Sequence, residues 1–367
     1  MVATGALLGY LQALHLQAVV FAPRTVAAGS PPLLDVALFP LDVPIAEAAP
    51  VLAPAAGPGP EGRRLCYAEP AERVVREHWA ELVSNHAEGL LRARGLRVLF
   101  AGLVRDGEKS LPKTMEALTL IGRHFRDYRI LVFENDSTDR SEEVLRNLSA
   151  RDPHILAVSR HLNLSSTRDC PLCEHGFARV ERMAKVRNIL RDWLARIVRK
   201  SHWDLVALVD ADLGEFGLCS IEADMVIAAL GRPESRAGSW DVLCANSLRY
   251  FRNLLDDKIG HHDAYAFRVA GHDEFNQSWA DYEVARRPFH ESWELHPVHS
   301  CFGGFAWYNA SAFLRCRYDE QLRDCEHVGF HRCLRDTGGE GRLFMDPVMT
   351  TRYSKDIKRK CSSKSPK

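Results

Sequence analysis

No apolar run in this sequence reaches the roughly 20 residues of an unambiguous membrane span, which excludes a polytopic membrane protein. Net charge is missing too. Forty-eight Lys and Arg are balanced by 48 Asp and Glu, so no global basic field points to nucleic acid as a partner. Beyond residue 62 there is no internal repeat and no low-complexity stretch. Ten cysteines in 367 residues are many for a cytosolic enzyme but too few for a disulfide scaffold. What is there has ordinary globular make-up, 46% apolar and 26% charged. The length suits one large α/β domain with an extension, or two modest domains.

Residues 1–22 carry no charge, and their length suits a cleaved signal peptide or a single N-terminal membrane anchor. Gln12, His15 and Gln17 interrupt the apolar run and a basic leader is missing, so an unstructured terminus fits equally. Residues 23–62 are rich in Ala and Pro, end in AAGPGPEGRR and read as a flexible stem. The domain proper is expected over 63–353, followed by a basic tail over 354–367. Asn-x-Ser/Thr sequons begin at Asn135, Asn147, Asn163, Asn276 and Asn309. They tilt the expectation toward the secretory pathway and the Golgi lumen. Cys170 and Cys173 form the only close pair, with no second pair to complete a zinc site. Cys325 and Cys333 flank His327 and His331, an arrangement open to a Cys/His metal knot, to buried thiols or to a disulfide or two.

After an amphipathic helix over about 71–94, the pattern alternates. Strands are predicted at 97–103, 129–134, 154–160, 204–209 and 242–247. Helices are predicted at 111–125, 141–148 and 180–200. This order implies parallel strands with right-handed crossovers: an α/β fold with a doubly wound, mostly parallel central sheet flanked by helices. Ligands of such sheets bind beyond the carboxyl ends of the strands.

Those ends are polar. The first strand is followed by Val104-Arg105-Asp106-Gly107-Glu108, the second by Glu134-Asn135-Asp136-Ser137-Thr138-Asp139 and the fourth by Asp210-Ala211-Asp212. Part of the second segment is a polar turn that caps the next helix. Glu134 and Asp136 can also accept hydrogen bonds from a base edge or ribose. Asp210 and Asp212 crowd two like charges, which repel unless a cation neutralises them. Mn²⁺ or Mg²⁺ prefers such oxygen ligands and bridges diphosphates. On the preceding helix, Arg179, Arg182, Lys185, Arg187 and Asn188 form either a solvated basic face or cationic partners for a diphosphate, with 182, 185 and 188 in register.

In order, GLVRDGEKSL, FENDSTD, AKVRN and VDADLG resemble the GT-A-fold glycosyltransferases of the family-2-like group, over about residues 97–350. Distantly, the set is similar to eukaryotic secretory mannosyltransferases of the capsule and cell-wall type. The resemblance implies a nucleoside-diphosphate sugar donor and transfer of a hexosyl group to a glycan or glycoprotein hydroxyl. It implies Asp210 and Asp212 as metal ligands, with Arg105, Glu134, Asp136, Lys185, Arg187 and Asn188 on the nucleotide and diphosphate. SCFGGFAWYN and DCEHVGFHRCL resemble the acceptor-side half, so Gly303 and Gly304 would approach the donor sugar. Glu326 would then be the catalytic base, with Asp324 as fallback and His331 as a further metal ligand. The family's acidic pair reads Glu326-His327 here, so its second acid is missing. Trp and His residues between Arg249 and His296 suggest an acceptor loop or lid. A sugar-1-phosphate nucleotidyltransferase would need a Gly-rich loop after the first strand, and VRDGEKS has one glycine. A non-catalytic carbohydrate-binding protein on the same fold is the third reading; it would not hydrolyse the donor.

Overall fold

The computed structural model describes residues 16–20, 36–40, 64–163, 177–217, 220–235, 239–252, 257–271, 287–338 and 342–364. Most of the expected leader and stem, Cys170, Cys173, Asn276 and residues 272–286 of the expected acceptor loop lie outside these. Strands β1 (Leu16–Val20) and β2 (Val36–Pro40) pair antiparallel as a separate two-stranded sheet. No described helix is long and apolar enough to cross a membrane.

The main domain opens with β3 (Leu65–Ala68) and two consecutive helices, α1 (Glu72–Glu77) and α2 (Trp79–Ala93). The expected single helix is broken at His78, whose φ of −110° and ψ of 26° leave the helical region. Four strand–helix units follow: β4 (Arg97–Val104), α3 (Leu111–Gly122), β5 (Asp127–Asn135), α4 (Ser141–Arg151), β6 (Ile155–Arg160), α5 (Phe177–Lys200), β7 (Leu205–Asp210) and α6 (Ala223–Gly231). The remainder is β8 (Val242–Arg252), β9 (Asp257–His261), β10 (Arg268–Val269), β11 (His296–Ser300), β12 (Phe305–Asn309), α7 (Ala310–Phe313), α8 (Glu326–Gly338), β13 (Leu343–Arg352) and β14 (Arg359–Ser362).

Nine strands of the central sheet lie in the order β10-β11-β13-β8-β12-β7-β4-β5-β6, and the tenth, β9, pairs with β8. The β6-β5-β4-β7 half is parallel, as the alternating pattern predicts. The other half is mixed. β12 inserts antiparallel between β7 and β8, while β13 runs parallel to β8. Successive side chains of a strand point to opposite faces. Leu99 and Ala101 of β4 therefore pack with Ala184, Leu190 and Leu194 of α5, while Val98 and Phe100 pack with Met115 and Leu118 of α3 and Ile227 of α6. Both faces of the sheet are covered, and only the strand ends are left for chemistry.

Two disulfides fasten the mixed half, and a third closes the separate sheet of β3 and β14. Cys244–Cys301 ties β8 to the turn after β11, and Cys316–Cys333 ties α8 to the segment after α7. Cys66–Cys361 joins β3 to β14, which pair antiparallel. The basic segment after residue 353 is thus no free tail as far as Ser362: it returns and closes on the start of the domain. Cys325 is a free, buried thiol. With Cys333 spent in a disulfide, the Cys/His metal knot is excluded.

Candidate active site

Parallel pairing sets three strand ends level. Val104 lies opposite Glu134, and Leu103 opposite Asp210. The first two loops are then zipped together by side chains that satisfy backbone N–H groups. Asp106 N donates to Ser137 Oγ (2.9 Å), Gly107 N to Ser141 Oγ (2.7 Å) and Glu108 N to Asp139 Oδ2 (3.0 Å). In return Asp106 Oδ1 accepts from Thr138 N at 2.7 Å. Asp106 and Asp136 both sit at positive φ (54° and 53°), a region Asp tolerates better than most residues.

The centre of the site is Asp210-Ala211-Asp212. Tyr353, one residue past β13, donates its hydroxyl proton to Asp210 Oδ2 at 2.6 Å. Burial raises the Asp210 carboxyl above its ordinary range, against the pull of Arg187 and this hydrogen bond. Asp212 is exposed at the rim, yet desolvation of its carboxyl and the charge of Asp210 push it up to about 7. Behind them Arg187 and Glu326 form a buried ion pair, Nε to Oε1, at 2.8 Å. Burial works against the Arg187 charge, but the Glu326 carboxylate more than offsets it and the guanidinium is held charged. The Arg179 charge also reaches Asp210.

Gly303 and Gly304 complete the crevice, at φ 65° and 75°. A Cβ on Gly303 would lie 2.0 Å from the Ala245 carbonyl oxygen, and one on Gly304 would lie 2.1 Å from the Tyr353 hydroxyl. Only glycine fits either position. Gly303 N donates to Asp263 Oδ2 at 3.0 Å, and Asp210 N donates to Gly304 O at 2.9 Å. Burial and the Asp210 charge push Asp263 up to about 6. His262 packs its ring 4.3 Å from that of Tyr353, and burial plus Arg249 push it down to about 4.

The structure thus brings Asp210, Asp212, Arg187, Glu326, Gly303 and Gly304 together, with Arg105 half-exposed at the neighbouring strand end and Arg105 Nε 4.0 Å from Asp106 Oδ2. Other assignments are corrected. Lys185 points to solvent and pairs with Glu181 at 2.5 Å, one turn back on its own helix. Asn188 is buried and fastens the segment after α7, bonding Tyr318 N and O and Glu320. Asp136 spends Oδ1 on Leu162 N and Asn163 N, holding the loop after β6. Glu134 accepts from Ser137 N (2.8 Å) and from the Ser159 hydroxyl, so it shapes the loop after β5.

His331 is no metal ligand: Nδ1 pairs with Ser300 Oγ (3.0 Å) and Nε2 with Tyr308 Oη (2.9 Å), and the ring is fully buried. Asp324 is bound to Arg268 at 2.6 Å. Glu326 is 4% exposed with one oxygen on Arg187, so in this state it orients a cation and offers no acceptor hydroxyl a base. Sequence reasoning missed Tyr353, drawn as the last residue of the domain, and left Asp263 and His262 unassigned in a loop. Their contacts are made across the sheet, and no local pattern marks them.

Mn²⁺ or Mg²⁺ fits the donor set at Asp210 and Asp212. Desolvation pushes both carboxyls toward the neutral form, and the Asp210 charge adds to it at Asp212, the condition a hard cation relieves. Among the described residues no three His, Cys, Asp or Glu side chains converge on one point, so an ion there needs oxygen from elsewhere, as a diphosphate provides.

The doubly wound sheet with its acidic strand end and glycine turn is that of a glycosyltransferase, the class to which the matching family model assigns the chain. More narrowly, the chain belongs to the family described as Cryptococcal mannosyltransferase 1, whose sequence model matches residues 97–340. No curated protein matches the sequence. Among solved structures, the 1–349 segment of S. aureus TarS is similar at 11% identity, over 71% of this chain and 60% of that one, with a TM-score of 0.38. GalNAc-T7, solved with UDP, GalNAc and Mn²⁺, is 12% identical over 71% of this chain and 44% of its own, with a TM-score of 0.42. The Pyrobaculum calidifontis mannosyltransferase PcManGT, solved with GDP-Man and Mn²⁺, is 11% identical over 78% and 68%, with a TM-score of 0.38. The chain therefore spans less than two-thirds of the first two, and likeness at these scores carries no argument about activity.

Proposed function

We propose that the protein transfers a hexosyl group from a nucleoside-diphosphate sugar to a hydroxyl of a glycan or glycoprotein, with Mn²⁺ or Mg²⁺ held by Asp210 and Asp212. The family description makes mannose the first sugar to test. One observation carries the reading: two carboxylates one residue apart end a buried strand, with the buried Arg187–Glu326 pair behind them. When bound, the ion supplies Lewis-acid stabilisation of the departing diphosphate. Arg187, kept charged and oriented by Glu326, adds a fixed positive charge beside it at no reorganisation cost. Gly303 and Gly304 let the turn pack against Ala245 and Tyr353, which keeps the Gly304 carbonyl on Asp210 N beside the proposed donor site. The three disulfides support a secretory compartment, where such bonds persist, and the Golgi lumen is the site we propose.

A thermal-shift panel of UDP, GDP and their sugars, each with and without Mn²⁺, tests this. Selective stabilisation by one nucleotide diphosphate in the presence of Mn²⁺ is the expected result, since binding to the folded state alone raises its stability. A chain indifferent to every nucleotide would return the fold to a carbohydrate-binding role.

A further inference from the structure

Tyr353 lies beyond the residues matched by the family, at the point where the C-terminal segment leaves the main sheet. Its position is fixed from several sides. Tyr353 N donates to Leu248 O at 2.8 Å, and the adjoining Arg352 N donates to Ser220 O at 2.9 Å. The Arg352 guanidinium reaches the buried Glu222 carboxylate (3.5 Å) and the Ile357 carbonyl (2.8 Å). The tyrosine ring packs against those of His262 and Phe216, at 4.3 and 5.5 Å between centroids. A few residues on, β14 is joined to β3 by Cys66–Cys361. Gly304 gives way to it: the turn adopts a left-handed conformation whose missing Cβ is the space the Tyr353 hydroxyl fills. So many constraints place one phenol oxygen 2.6 Å from Asp210 Oδ2.

We propose that Tyr353 is a positioning residue for the cation site: its hydroxyl commits Oδ2 of Asp210 and leaves Oδ1 as the oxygen a divalent cation takes. The inference rests on the reading that Asp210 and Asp212 hold that cation. A carboxylate rotates easily about its last torsion, so an unpinned Asp210 would spread its oxygens over many directions. Hydrogen bonds to metal-ligating groups are worth ten- to a hundredfold in metal affinity. The C-terminal segment therefore belongs to the active site, and the Cys66–Cys361 clamp anchors the strand that follows this tyrosine.

The test is Mn²⁺ uptake by the full chain, read by electron paramagnetic resonance of the free ion, with GDP or UDP present and Asp212→Ala as the blank. Tyr353→Phe keeps the ring and its packing, and should weaken uptake ten- to a hundredfold while the unfolding temperature without metal barely moves. Gly304→Ala, which drives a Cβ into the hydroxyl, should weaken uptake similarly with the tyrosine still present. Wild type and Tyr353→Phe taking up Mn²⁺ equally, both above the blank, would overturn the inference and leave the cation reading standing. Wild-type uptake no better than the blank would overturn the cation reading, and the inference with it.

Discussion

The two halves of the sheet solve different problems. The β4–β7 half is parallel and regular, and it delivers its polar groups one after another along the chain: Arg105, Glu134, Asp210 and Asp212 each end a strand or follow one. The β8–β13 half is mixed in direction, is fastened by Cys244–Cys301 and Cys316–Cys333 and delivers its groups by long-range contact. Tyr353 meets Asp210 across 143 positions of sequence, and Glu326 meets Arg187 across 139. The first half thus supplies carboxylates that repel one another. The second supplies what holds them: a hydroxyl on one, and a buried counter-charge for the arginine behind.

If that division is right, the largest loss comes from the first half. Asp212→Ala should cut transfer by about 10²-fold or more, since it removes a ligand of the proposed ion. The unfolding temperature without metal should hold or rise, because one of two crowded charges is gone. Kinetics and thermal unfolding on the same preparation would check both. Full activity retained in this variant would contradict the division outright.

Next comes the buried pair. Arg187→Ala strands the Glu326 carboxylate in the interior and should cost about 3–5 kcal/mol in denaturant unfolding. The double variant Arg187→Met with Glu326→Leu should recover most of that stability and none of the affinity for a nucleoside diphosphate. Recovery of both would make the pair structural only.

These predictions mark where the sequence was readable. The parallel half was legible because buried strands and amphipathic helices alternate there, and a DxD at the end of an apolar strand has few bland explanations. The insertion of β12 between β7 and β8 was not, because an antiparallel strand far along the chain carries no local sign of its neighbour. Lys185 misled for a related reason. Its step from Arg182 and toward Asn188 places them on one face, but periodicity does not say what that face meets, and it meets solvent and the segment around Glu320. The glycine pair was legible as a close approach; what approaches it, a tyrosine from residue 353, was not.

A smaller effect concerns acid. Burial keeps His331 neutral, pushing it down to about 3, while an unfolded chain takes up that proton near 6.5. The stability this group allows is therefore complete above pH 6.5 and falls away as pH drops toward 3. His331→Gln, which can still bridge Ser300 and Tyr308, should flatten the loss by about 2 kcal/mol at pH 5. Parallel profiles for wild type and variant would mean the ring is protonated in the folded state. Smallest of all is Lys185→Ala, which should leave nucleotide affinity and unfolding temperature unchanged, because its exposed pair with Glu181 touches nothing in the crevice.

The most direct test of the account is turnover of GDP-mannose and UDP-hexoses by the full chain, with sugar release and transfer followed together in Mn²⁺ and in EDTA. Consumption of one donor in Mn²⁺ is expected, with its loss in EDTA and its loss again in Asp210→Asn with Mn²⁺ restored. Consumption that proceeds equally in EDTA, or that survives Asp210→Asn, would contradict it.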